Sequence, residues 1–591
     1  MGLEYSHVWH AQAVKCGAAP TAMVNPRDDP QPGKKRSALI WGFIYFVTAL
    51  AVILQGQYQS GIFSAELGHF PDEPAHAMTA VFFRDYFVAL FPSPMSFAHN
   101  YYLHYPKIAI GVWPPVFYVL AGIWLLVFGT SHASFLAFIA TVGGALGATL
   151  SLFVRRVAGP WPGLFAGILL LCLRPLRFGT TTMLVDTTLT LMCLLATLRL
   201  IRYFKTEQLK DALLFGLLTA IAMLTKGNAN ELLLTVPFML IVTGRYRLLL
   251  RKDLYLAGVI VALLGLPWQF LSVYMLRNAA LIQSEAGSSI AIKAIGYLQI
   301  LFEQLGAVAV VGALVFPMAW IFCRSRTGRD AVRGFPPLLR AAIDWLSGYE
   351  TEIAGAGSLA ASVYIFHIFA PVPGPDGRYM MGALPALIFL FVSGASFVAR
   401  ALGPGRSWIA WAASAMLLFA IPSGAWQVTK HDRLGLGDAA RILSDSSSRV
   451  ILVDADATAE GTFIVSLALL DHRRDHFVLR STKLMSDNPW TSTVYRPRLT
   501  TPEAVKEVLD HLPVDAVVLD LTRPGWEQDS TLLLRALRSD PENWRLTNDI
   551  PVSSASSHHL QIFRNVTPRN QTATDTQLSA LVEEILGIKQ K

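Results

Sequence analysis

Apolar runs separated by short polar or charged connectors fill the chain from Ala38 to Ala420. A bilayer core of about 30 Å needs about 20 apolar residues per helix, fewer where the ends snorkel. The runs Ala38–Leu54, Phe135–Val154, Trp161–Leu173, Thr187–Ile201, Leu213–Leu224, Leu232–Val242, Leu254–Tyr274, Gly306–Cys323, Ile353–Pro371, Tyr379–Val398 and Trp408–Ala420 predict about eleven membrane spans. The shorter ones extend into their polar flanks. One more run, Ile108–Phe128, is equally apolar, but the charge distribution argues against a span there. Lys34, Lys35 and Arg36 put the N-terminus in the cytoplasm. Without a span at Ile108–Phe128, the clusters Arg155-Arg156, Arg202 with Lys205, Arg245 to Lys252, Arg324 to Arg333 and Arg400 with Arg406 all fall inside. With it, every one of them moves outside. The segment is therefore expected to be an interfacial or re-entrant helix on the outer face, opened by Trp113-Pro114-Pro115, where proline suits a helix start.

Past about Trp426 the pattern changes. Arg449–Asp454 and Asp515–Asp520 are short Val-rich runs that read as buried strands. Helical patterns follow at Gly461–Arg474, Thr501–Leu512 and Ser530–Ser539, and His476–Ser481 and His559–Arg564 are further strand candidates. Thr501-Pro502-Glu503 is a good helix start. Strands alternating with helices predict a small α/β domain with a mainly parallel sheet. The expected fold is thus an α-helical polytopic membrane protein with a C-terminal extracytoplasmic α/β domain. Its parts are a cytoplasmic segment 1–37, a membrane domain 38–425 with the outer loop 55–134, and the α/β domain 426–591.

Composition agrees and narrows the classes. Hydrophobic residues make up 53% of the 591 and charged ones only 15%, with mean hydropathy +0.43; an average soluble domain carries about 25% charged residues. A wholly soluble or disordered chain is excluded. The net charge of +8 comes from clusters between apolar runs, so it signals cytoplasmic loops rather than nucleic acid. The four cysteines, Cys16, Cys172, Cys193 and Cys323, make no disulfide framework or zinc spacing.

The loop Gln55 to Ser134 holds the candidate chemistry. It opens with Phe70-Pro71-Asp72-Glu73-Pro74-Ala75-His76. Adjacent carboxylates beside a membrane cavity are candidates for function, and a positioned carboxylate can take the proton of an attacking hydroxyl. The plainer reading is a solvated pair that caps the following helix. Basic groups on the same face are Lys107, beside His104 and Tyr105, then Arg177, and Arg378, beside Tyr379. Arginine meets phosphate through its planar fork and lysine as a point charge. Their plainer readings are a snorkelling residue, a topology signal and a loop cation. His76 and His99 share the loop as packing or hydrogen-bonding residues, and Lys226-Gly227-Asn228-Ala229-Asn230 reads as a turn on the same side.

Three elements resemble the GT-C class of membrane glycosyltransferases, the branch of protein O-mannosyltransferases and bacterial aminoarabinose transferases. They are the Asp72-Glu73 pair after the first span, Tyr105-Pro106-Lys107 followed by Trp113-Pro114-Pro115-Val116-Phe117-Tyr118, and Arg378-Tyr379-Met380 leading to Pro385. The resemblance covers about Ala38 to Arg400. It implies a sugar transferred with inversion from a polyprenyl-phosphate donor to a hydroxyl of a glycan, lipid or protein acceptor. Asp72 would be the general base and Glu73 its partner, with membrane lipids around and no nucleic acid involved. Asp186 matches an acidic position that in some members helps bind a divalent metal. A metal site here would join Asp72 or Glu73 to Asp186 and to Glu285 or Glu303. The implied place is a bacterial cytoplasmic membrane, with the N-terminus inside and the α/β domain outside. The competing classes are a polytopic lipid or sugar transporter or flippase, and a non-catalytic scaffold presenting the tail. A transporter would show mid-membrane charges and internal repeats; neither is apparent.

Overall fold

The protein is described by a computed structural model over residues 32–278, 289–324, 334–370, 374–403, 406, 408–420, 427–445, 448–471, 474–487, 496–521, 528–552, 559–567 and 574–586. Cys16, Glu285 and most of the stretch Arg324 to Arg333 lie outside these. Among the described residues, six helices are long and apolar enough to cross a membrane: Arg36–Ser60, His132–Ala158, Asp186–Thr206, Lys252–Met275, Glu350–Phe369 and Leu384–Ala401. Two bent pairs bring the number to as many as eight: Pro160–Cys172 with Arg174–Thr181, at 68°, and Ile290–Leu305 with Ala307–Cys323, at 112°. Each of the eleven expected runs is helical, but three form shorter helices, Leu209–Met223, Leu232–Thr243 and Trp408–Ala420. The breaks have local causes. Pro175 opens a new helix at the first bend, and Gly306 turns the second with φ 78°.

Ile108–Phe128 is not one helix. Its first part is irregular, and the helix runs only from Val116 to Phe128, about 20 Å at 1.5 Å per residue. It lies against the helix Glu73–Val88, and the two approach closely at Gly122, where an added Cβ would meet the Arg84 backbone nitrogen at 3.0 Å.

The tail forms a five-stranded sheet. Its strands are β1 (Val450–Asp454), β2 (Phe477–Arg480), β3 (Ala516–Asp520), β4 (Trp544–Pro551) and β5 (His559–Asn565), in the order β2-β1-β3-β5-β4. β1 pairs parallel with β2 and β3, while β5 pairs antiparallel with β3 and β4. The sheet is therefore mixed, where a mainly parallel one was expected. The fully buried β1 and nearly buried β3 were plain in the sequence. β4 was not, because all but Trp544 of its side chains are exposed or half-exposed.

Two cores matter for the site. One packs the bundle helices around Phe153, Phe204, Leu387 and Phe389. The other joins Ala77, Val81, Phe117 and Tyr118 of the loop Gln55 to Ser134 to Val453, Phe463 and Ile464 of the tail. Loop and tail thus share a single apolar interior.

Candidate active site

Asp72 stands at the N-cap of the helix Glu73–Val88, with Pro74 in the first turn. The capping explanation predicts a carboxylate bonded to the helix amides, but the Asp72 side chain makes no such bond. It is half-buried, and the charges that act on it are Arg378, Lys226, Asp186 and Lys107. Burial pushes its carboxyl above the usual carboxylate range, and Arg378 and Lys226 pull the other way. A carboxylate held in that balance is more basic than one in water, and cations remain beside it.

Glu73 points elsewhere. It is fully buried and accepts the backbone N–H groups of Met183 at 2.8 Å and His69 at 3.0 Å. Burial raises its carboxyl to about 7, against the pull of those amides. Glu73 ties the start of the Asp72 helix to the chain just before the helix Asp186–Thr206. His76, one turn on, meets the Tyr118 hydroxyl at 2.6 Å and packs its ring 4.2 Å from Trp113. The Trp-Pro-Pro-x-x-Tyr element therefore braces the same helix.

Asp186 is 3% exposed at the first turn of its helix, and Lys226 Nζ donates to it at 2.7 Å. Lys226 also lies 5.8 Å from the Tyr379 ring centroid. Arg378 holds Asp376 with two bonds, at 2.9 and 3.0 Å, and its guanidinium covers Phe70 at 4.3 Å. Lys107 is 7% exposed and donates to the Ala457 carbonyl of the tail at 2.8 Å. Burial, with Arg480 beside it, lowers its ammonium to about 7, while Glu460, Asp72 and Asp456 oppose this.

The structure thus gathers Asp72, Asp186, Lys107, Arg378 and Tyr379 at one end of the bundle, and adds Lys226. It directs others away. Tyr105 donates to Asp471 of the tail, and the His104 ring stacks on Phe477 at 4.0 Å. His99 pairs with Glu583 at 2.6 Å. Arg177, half-buried, lies against the Cys172 thiol. Lys226 carried one signal in the sequence: it is a lone cation at the end of an apolar run, on the face where cations are scarce.

The described residues do not suit a divalent ion, which wants several oxygens. Lys226 already occupies Asp186, backbone amides occupy Glu73, and Glu303 is exposed on the helix Ile290–Leu305. Among the described residues no three histidine, cysteine or acidic side chains converge on one point.

Residues 112–270 match the protein family described as dolichyl-phosphate-mannose-protein mannosyltransferase. None of the curated protein sequences matches the chain. Among solved structures, ArnT from Cupriavidus metallidurans in the apo state is similar, with TM-score 0.50 and 14% identity over 89% of this chain and 98% of that one. The same protein bound to undecaprenyl phosphate gives TM-score 0.50 and 14% identity over 88% and 98%. The Archaeoglobus fulgidus oligosaccharyltransferase, in complex with zinc and sulfate, gives TM-score 0.45 and 13% identity over 88% and 72%. The motifs quoted above and the family match across the Trp-Pro-Pro element point the same way: residues 112–270 are similar to a mannosyltransferase family, and the chain shares the fold of ArnT.

Proposed function

We propose that the chain transfers a sugar, with inversion, from a polyprenyl-phosphate donor to an acceptor hydroxyl on the non-cytoplasmic side of a bacterial inner membrane. The single observation that carries this is Asp72, a half-buried carboxylate that caps nothing and faces Arg378, Lys226 and Lys107. In one displacement the acceptor oxygen bonds the anomeric carbon and passes its proton to Asp72. The bond from that carbon to the phosphate oxygen breaks, and polyprenyl phosphate departs with the electron pair. Lys107 and Arg378 receive the phosphate charge, which fixed cations in a shielded site stabilise well. Asp186 and Tyr379 hold Lys226 in place, and Glu73 sets the position of the Asp72 helix without touching substrate. With an ammonium on Asp186, the reaction needs no divalent ion. The undecaprenyl phosphate bound to ArnT supports the donor class. The test is transfer by purified protein from a panel of polyprenyl-phosphate sugars, comparing wild type with Asp72→Asn. Equal rates would remove the catalytic claim.

A further inference from the structure

The tail does more than pack against the bundle. Its helix Ala457–Leu470 runs across the first turn of the Asp72 helix, and three contacts fix it there. Lys107 Nζ donates to the Ala457 carbonyl at 2.8 Å. A Cβ added at Gly461 would lie 2.5 Å from Lys107 Cε and 3.0 Å from Pro74 Cβ. A Cβ added at Gly68 would collide with Thr462 of the same helix. Behind them, Phe463 and Ile464 belong to the interior that the loop and tail share. Glu460, one residue before Gly461, is fully buried and accepts from Arg480 at 2.6 Å and from Thr482. This side of the helix is therefore rigid, and the space at Gly461 is shaped to the lysine chain.

We infer that the α/β domain is part of the catalytic unit: its helix Ala457–Leu470, through the missing side chain at Gly461 and the carbonyl of Ala457, sets where the Lys107 ammonium stands beside Asp72. Gly461 is a positioning residue; it touches no substrate. The inference rests on the proposed role of Lys107 toward the donor phosphate. It also gives the tail a task in the reaction, in place of a passive packing role. Were the tail absent, the lysine would lose both its hydrogen-bond acceptor and the wall that keeps it from water.

Gly461→Ala tests this. Alanine favours a helix more than glycine does, and the contact nearest its new methyl is the flexible end of Lys107, so the lysine is displaced first. Two readouts follow, neither of which needs the sugar identified. The first is labelling of lysines with an amine-reactive reagent, resolved by mass spectrometry. At about pH 10.4, where an ordinary lysine is itself half deprotonated and access alone separates the two, Lys107 in wild type is labelled at least tenfold more slowly than the exposed Lys210, and in Gly461→Ala it approaches the Lys210 rate. The second is binding of undecaprenyl phosphate, expected to weaken tenfold or more in both Gly461→Ala and Lys107→Met. Full binding by Lys107→Met would overturn the proposed role of Lys107 and leave the geometry of the tail standing. Weak binding by Lys107→Met, with Gly461→Ala like wild type in both readouts, would overturn the inference itself. So would fast labelling of Lys107 in the folded wild type, a measurement that holds even if Gly461→Ala fails to fold.

Discussion

Replacing Asp72 by asparagine separates catalysis from folding. The change keeps the shape of the side chain and removes only its capacity to accept a proton. Loss of a positioned general base lowers a rate by about 10²–10⁴-fold, or about 3–5 kcal/mol in the barrier. Arg378, Lys226 and Lys107 stay in place to receive the phosphate, so the loss should fall within that range and transfer should not vanish. Stability should move the other way. Asparagine is as good an N-cap as aspartate, and Asp72 makes no capping bond that could be lost. Its carboxyl lies above its ordinary range chiefly because burial disfavours the charge. A carboxyl with a folded-state pKa above its unfolded value burdens the fold as pH rises between the two, and the burden persists at neutral pH. The variant removes that burden. Asp72→Asn should therefore unfold at the same temperature as wild type or slightly higher at pH 7.5, with transfer down at least a hundredfold. Turnover with a saturating polyprenyl-phosphate sugar and thermal unfolding in the same detergent measure both quantities. Transfer within threefold of wild type, or a fall of several degrees in the unfolding midpoint, would refute the reasoning.

Lys226→Met leaves Asp186 buried beside no ammonium, and breaking such a pair costs about 3–5 kcal/mol; Lys226 is partly open to water, so a loss near the low end is expected. Adding Asp186→Asn should restore the melting temperature without restoring transfer, whereas a stable single variant would discount the pair. Excess EDTA should leave transfer unchanged, because Lys226 holds the carboxylate an ion would need, and inhibition reversed by a divalent salt would contradict this. Glu73→Gln turns an amide NH₂ toward one of two backbone N–H groups, so it should lower stability by about 1–3 kcal/mol; an unchanged melting temperature would show that these bonds do not hold the Asp72 helix. At the seam between loop and tail, His69 and His431 lie 4.2 Å apart, and burial lowers His431 to about 3. A histidine kept neutral in the fold forfeits stability as pH falls below its unfolded value near 6.5, by about 1–2 kcal/mol by pH 5. His431→Phe should blunt that loss, and identical acid unfolding curves would count against it.

Much of this fold was legible because a membrane domain advertises its helices through uninterrupted apolar runs, and β1 and β3 through dense valine. The breaks were harder to see: Pro175 lies just past the expected run Trp161–Leu173 and opens a further helix there, and Gly306 begins the run Gly306–Cys323, ahead of which no helix Ile290–Leu305 was expected. The site divides in the same way. Asp72, Asp186 and Arg378 follow from charge on the sparsely charged face. Lys226 hid in a turn sequence rich in glycine and asparagine. Tyr105 and His104 looked as exposed as Lys107, yet Asp471 and Phe477, more than 350 residues along the chain, turn them toward the tail. No local pattern carries such a contact.

That contrast bears on how the site works. Three cations and two carboxylates at one half-buried place would destabilise the fold if each stood alone. Here each carries a compensating partner: Arg378 has Asp376, Lys226 has Asp186, and Lys107 has the Ala457 carbonyl. Asp72 is the exception, with no capping bond of its own and a pKa displaced upward by burial. A group kept basic and unspent amid satisfied neighbours is what proton transfer from a hydroxyl requires. Two of the elements that create this asymmetry, the Trp-Pro-Pro brace and the tail helix, both follow the Asp72 helix in sequence, far apart from each other, and meet it at His76 and Pro74. The Asp72 helix is therefore gripped by both, and loosening either should impair transfer more than it impairs assembly of the bundle.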